Sequence, residues 1–210
     1  MIPSHVHHFW HDEFGEASIV ARSSAWHAES AEADLSTNLA RWQELHRDHQ
    51  THLWTPGRIV QAARRSGLSL VADALLRSRS ISQRADLAML FVLWSVGGFW
   101  IDPTIRPLAA CLHHYADIDL VRLSGAERLF MGANRRQQAV FRALGSITLK
   151  MHESDVRFSA AAALALHMRR EAVDVLDLDP KSMWGARLER RRKPRLPHAI
   201  LDPAGCSLGA

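Results

Sequence analysis

At 210 residues, 47% of them hydrophobic, the chain is long enough to bury one sizeable core and short for two, so a single domain spanning 1–210 is expected. No apolar run approaches the ~18 residues of a membrane span, and the opening residues, with His7, His8 and Asp12, lack a signal-peptide core, so a cytoplasmic protein is expected. The net charge of +4 permits attraction to phosphate-bearing partners and selects none of them, while Cys111 and Cys206 imply neither a disulfide framework nor a metal-ligand spacing.

Val6 to Trp10 reads as a first, partly apolar strand. His5, His7, His8 and His11 cluster there without the Cys or acidic partners that would complete a metal set. Ser18 to Asn38 is rich in Ala, Ser and Glu with few large apolar groups, whereas Leu39 to His49 reads as a helix with Leu39, Trp42 and Leu45 as its inner stripe. Thr51 to Trp54 is a short strand, and Pro56 starts a helix through Arg65 that Gly67 ends. Val71 to Leu76 fits a helix or a strand.

Ser80 to Leu108, SISQRADLAMLFVLWSVGGFWIDPTIRPL, is the most informative stretch. Ser80 and Gln83 have capping-box spacing, and Leu87, Leu90, Phe91 and Trp94 fall at i, i+3, i+4, i+7. With Ala88, Met89, Val92 and Leu93 also apolar, a buried helix is expected, ended at Gly97-Gly98 where positive φ is wanted. Phe99 to Ile101 then reads as a strand that delivers Asp102 to its carboxyl end, where open α/β sheets bind ligands. Asp86, a carboxylate among Met89, Leu90 and Leu93, needs a partner or a ligand, because burying it alone costs several kcal/mol.

Further on, Leu129 to Ala133 reads as a strand, Gln137 to Leu144 as a helix closed by Gly145, and Phe158 to Arg170 as an alanine-rich helix capped by Ser154 or Asp155. Asp117-Ile118-Asp119 and Asp177-Leu178-Asp179 are literal D-x-D triplets, but neither follows a Gly-Gly-aromatic strand, so both read as strand or turn entries. The basic segment 187–195 carries six cations, Arg187, Arg190, Arg191, Arg192, Lys193 and Arg195, against one Glu189. It is either a solvated tail or a peripheral contact with a membrane surface. No recognition helix, zinc finger or RNA-binding motif accompanies it, so nucleic acid is not expected. From Pro194 to Ala210 no element is clear.

The order Ala85-Asp86, ten helical residues, Gly97-Gly98, aromatic, Asp102 resembles, without a gap as far as Thr104, the "AD…R…GG.Y.D.D" signature of the DXD-containing sugar transferases. These include the family 32 initiating mannosyltransferases, bacterial capsule and lipopolysaccharide transferases and, more remotely, the glucosylating domain of large clostridial toxins. Ile2 to Trp10 resembles the family's opening "IPKIIHQIW", and Trp42 and Trp54 fall where it often carries "SW" and "LW". The resemblance implies a GT-A-like mixed sheet flanked by helices and transfer of a sugar from a nucleoside-diphosphate sugar, with retention, to a carbohydrate or glycoconjugate acceptor such as a surface polysaccharide or glycan. It further implies that Asp102 and Thr104 hold Mn²⁺ or Mg²⁺ and that Asp86 holds a donor hydroxyl. Trp10 would contact the base, unless it is a buried anchor, and His7, Gly97, Gly98 and Trp100 would line the donor site.

Three positions depart from the signature: Met89 stands for the arginine, Trp100 for the tyrosine and Thr104 for the second aspartate. Alternate residues of an extended strand share a side, so D-x-D aims two hard oxygens at one cation. A threonine hydroxyl can still ligate Mg²⁺, as in a P-loop. The alternative is therefore a catalytically degenerate relative that binds a nucleotide sugar or a protein.

Overall fold

The computed structural model describes residues 1–10, 28–78, 80–103, 105–107, 112–123, 127, 129–153, 160–171, 173–178 and 200–201. Strand β1 (His5–Phe9) is followed by helix α1 (Ala28–Leu45), β2 (Gln50–Trp54), and helices α2 (Pro56–Arg65), α3 (Ser69–Arg77) and α4 (Ile81–Ser95). Then come β3 (Gly98–Ile101), the short β4 (Arg106–Pro107), a 3₁₀ turn at Leu112–Tyr115, β5 (Leu120–Leu123) and β6 (Phe130–Ala133). Helices α5 (Gln138–Glu153) and α6 (Ala160–Glu171) precede β7 (Val175–Leu178) and β8 (Ile200–Leu201), which pairs in parallel with β4.

The main sheet has six strands in the order β2-β1-β3-β6-β5-β7. β1 runs parallel to β2 and β3, β6 is antiparallel to β3 and β5, and β7 is parallel to β5. Because successive strand residues face opposite sides, the inner strands β1, β3, β6 and β5 feed two cores. Phe9, Trp100, Leu120, Met131 and Ala133 meet the buried stripes of α2 to α6 on one face. Val6, Phe99, Ile101, Val121 and Phe130 meet Trp42 of α1, Ile105 and Leu112 on the other. This is the expected mixed α/β sheet flanked by helices.

Most elements fall where periodicity placed them, and the differences have local causes. Val71, Ala72, Ala74 and Leu75 are buried while Asp73 is exposed, a helical rather than alternating pattern, so α3 is a helix. Helix α1 starts at Ala28 rather than Leu39 and stops at Leu45 rather than His49. Its Ala- and Glu-rich first half has helix propensity without the apolar stripe that marks a helix to the eye. Ser80 is the N-cap of α4 but makes no cap bond; its hydroxyl lies 3.3 Å from Ser82 Oγ, so the capping box is not formed. Gly145 does not close α5, which runs on to Glu153 because Ala143, Leu144 and Ile147 keep its inner face buried. Strands β4, β5, β7 and β8 were not assigned from the sequence, although the D-x-D triplets read as strand or turn entries stand just before β5 and at the end of β7. Ser154 and Asp155 lie outside the described residues.

Candidate functional site

The corner between α4 and β3 uses its glycines structurally. Gly97 and Gly98 have φ of 76° and 99°, as expected. A Cβ on Gly98 would lie 2.5 Å from the His5 carbonyl oxygen, and one on Gly97 would lie 2.7 Å from the Arg135 nitrogen. The pair thus lets β3 enter between β1 and the turn that follows β6. It does so at the amino end of β3, four residues and about 13 Å from Asp102 at a strand rise of ~3.3 Å. The glycines and Asp102 are not brought together.

Because β1, β2 and β3 run parallel, their carboxyl ends share one edge, and there Trp10, Thr55 and Asp102 stand in adjacent strands. The Trp10 N–H donates to the Trp54 carbonyl at 2.9 Å. The Asp102 N–H donates to the Leu129 carbonyl, and the Asp102 carbonyl accepts from the Ile105 N–H, both at 2.9 Å, closing a turn at the strand tip. Asp102 is half-buried. Thr55 caps α2, its hydroxyl accepting from the Arg58 N–H at 3.4 Å, and the Arg58 guanidinium lies 5.7 Å from the Trp54 ring centre while donating to the Leu53 carbonyl. Thr55 and Arg58 were missed in the sequence, although Pro56 at the helix start already placed them at this edge.

Asp86 stands in the second turn of α4, the helix that leads into the glycine corner. Asp86 is 6% exposed. Asp86 and Asp102 are both engaged in interactions, and burial makes Asp86 the one for which a partner matters most.

His7, expected at the donor, has another position. Its ring is fully buried, Trp54 Nε1–H donates to its Nδ1 at 3.0 Å, and its Nε2–H therefore donates to the Gly97 carbonyl at 2.7 Å. Burial pushes this imidazole down to about 3, with the Gly97 bond opposing and His52, His5 and His8 reinforcing. Both nitrogens are spent holding β2 and the glycine corner to β1. The histidine that reaches the Asp102 strand end is His8, on the opposite face, whose Nδ1–H donates to the Ile101 carbonyl at 2.9 Å. Its burial pushes it down to about 4, against the Ile101 bond, and its Nε2 finds no partner among the described residues.

Trp100 is 2% exposed and stacks on Phe9 with ring centres 5.8 Å apart, inside the core rather than at its mouth. Met89, in the position of the signature arginine, is 1% exposed in the same core. Thr104 and segment 187–195 lie outside the described residues, as do Asp179 and His11. Of the other D-x-D aspartates, Asp119 accepts from Asn134 Nδ2 at 2.7 Å, and Asp177 forms an ion pair with Arg122 at 2.5 Å, both structural roles. Among the described residues no group of three or more His, Cys, Asp or Glu could hold a metal ion, and no helix is long and apolar enough to cross a membrane. A cavity of about 380 Å³ lies between α6 and strands β5 and β7. The Arg122 in its wall is already paired with Glu127 and Asp177.

No protein-family model matches the chain, and no curated protein matches it. Among solved structures, the chain is similar to one named "PaToxG Glycosyltransferase", with a TM-score of 0.53 and 9% identity over 81% of this chain and 69% of that one. At that identity the likeness concerns the fold: a six-stranded mixed sheet flanked by helices, shared with a glycosyltransferase.

Proposed function

We propose that the chain transfers a sugar from a nucleoside-diphosphate sugar, with the donor lying across the carboxyl ends of β1 and β3. The observation that carries this reading is Asp102 at the tip of β3, one strand from Trp10, in a sheet shared with a glycosyltransferase. Asp102 and Thr104 would hold Mn²⁺ or Mg²⁺. The donor set suits such a cation only in part, since one carboxylate and one hydroxyl leave most of a hard ion's oxygen shell to the donor's diphosphate and water. The cation would supply neutralisation of charge on the departing diphosphate. Trp10 offers a ring to the base, and Asp86 offers a carboxylate to a donor hydroxyl. In the transfer, the bond between the anomeric carbon and the diphosphate oxygen breaks, a bond to an acceptor hydroxyl oxygen forms, and the acceptor proton is released. The acceptor is a carbohydrate or glycoconjugate.

One observation favours a second reading. Met89 lies in the core where the signature places a cationic side chain, which favours a binding module that holds the nucleotide sugar without turnover. Calorimetric titration with UDP- and GDP-sugars, with and without Mn²⁺, tests both. Binding with release of free sugar or transfer supports the enzyme, binding without turnover supports the module, and no binding to any donor removes both.

A further inference from the structure

The chain on either side of Asp102 is gripped at alternate carbonyls. The Ile101 carbonyl accepts from His8 Nδ1–H at 2.9 Å, the Pro103 carbonyl from Asn38 Nδ2 at 3.2 Å, and the Ile105 carbonyl from Trp42 Nε1–H at 2.9 Å. All three donors are buried, at 0%, 5% and 0% exposure. They belong together: Asn38 and Trp42 are one turn apart on α1, and the Trp42 and His8 rings lie 6.3 Å apart.

A buried Asn or Trp N–H without an acceptor costs as much as a lost hydrogen bond, so these donors specify where the three carbonyls sit. With the carbonyls of 103 and 105 held by α1, that of 101 held by His8 of β1, and the Asp102 carbonyl closing onto the Ile105 N–H, the peptide planes around Asp102 have little freedom left. We infer that Asn38, Trp42 and His8 are positioning residues for Asp102, a clamp from the face of the sheet opposite α4 that fixes the carboxylate before any ligand arrives. This deepens the donor-site reading and rests on it for its consequence, but not for its geometry. Preorganisation of this kind matters because a misplaced ligating group weakens binding far more than its own contacts would suggest.

The test uses the full chain with Asn38→Leu and Trp42→Phe, each of which deletes a donor and keeps an apolar side chain in place. By NMR hydrogen exchange, the Asp102 and Ile105 amides should exchange about five- to tenfold faster in each variant, the range expected for one lost hydrogen bond, while amides of β6 and α5 keep their protection. In parallel, Mn²⁺-dependent binding of a UDP- or GDP-sugar should weaken in each variant, and the loss should vanish when the same substitution is made in an Asp102→Asn background. A purely structural role would weaken binding equally in both backgrounds and would lower protection throughout the sheet. Unchanged exchange at Asp102 and Ile105 overturns the clamp. Faster exchange with undiminished donor binding overturns its positioning role. A parent protein that binds no donor refutes the nucleotide-sugar reading, and the clamp then stands or falls on the two amides.

Discussion

Acid should unfold this protein through buried histidines, two of them in β1, in a pH range where carboxylates are still ionised. His7 and His8 ordinarily titrate near 6.5, but in the fold burial holds them down to about 3 and about 4. A base whose folded-state pKa is depressed is neutral in the native chain and protonated in the unfolded one. Its contribution is therefore present in full above pH 6.5 and is lost as pH falls toward the folded value. Between pH 7 and pH 5 each imidazole costs about 2 kcal/mol of stability, at 1.36 kcal/mol per pH unit of unfolded-state protonation. The pair removes about 4 kcal/mol, a large part of the 5–15 kcal/mol typical of a domain. Urea midpoints measured at half-unit steps from pH 7.5 to 5 should fall steadily below pH 6.5. His8→Gln should remove about a third of the slope, because burial also holds His46 down to about 4, and one of three such imidazoles is gone. A midpoint that is flat from pH 7 to pH 5, or a slope that His8→Gln leaves untouched, would refute this account.

Gly98→Ala should destabilise by about 2–4 kcal/mol in thermal or urea unfolding, since the new methyl would meet the His5 carbonyl at 2.5 Å on a backbone at φ 99°. Gly145→Ala should do the reverse, raising stability by about 1 kcal/mol, because the site is inside α5 with nothing within 4 Å of the added carbon. Asp102→Asn should weaken donor binding by calorimetry to a residual affinity that no longer responds to Mn²⁺, while shifting stability by less than about 1 kcal/mol, the scale for a half-exposed side chain outside the core. Donor binding equal to that of the parent would remove Asp102 from the site.

The stretch from α4 to β3 was legible because its composition leaves few choices: a helix apolar on every side, two glycines and a short aromatic strand can only be a buried hairpin of helix and strand. The first half of α1 was not, since Ala, Ser and Glu form a helix without displaying which face is inner. Strand β5 was hidden by its brevity, with Leu120 to Leu123 too short to show alternation. At the candidate site, sequence placed Asp102 at a strand tip but could not assign the histidines of β1. His7 and His8 are neighbours in sequence and opposites in space, and only the register with Phe99 and Trp100 decides which faces α1 and which faces α4. The clamp donors were out of reach for a related reason. Asn38 and Trp42 lie 65 and 63 residues from the carbonyls they hold, and no local pattern encodes such a pairing.

Strand β1 is an interior strand whose two partners are made after it: β2 begins at Gln50 and β3 at Gly98. During synthesis, its backbone donors and acceptors remain open until about ninety further residues have emerged, an exposure that in a fully apolar segment would invite association with other chains. HVHHF is not fully apolar. Before it is enclosed, its histidines titrate near 6.5 and carry partial charge around neutrality, so the segment that later becomes dry and neutral first passes through a hydrated, self-repelling state. The same imidazoles that make the finished sheet vulnerable to acid thus act as gatekeepers for the nascent one, and replacing them with Val or Leu should yield a more acid-resistant fold that is harder to recover in soluble form.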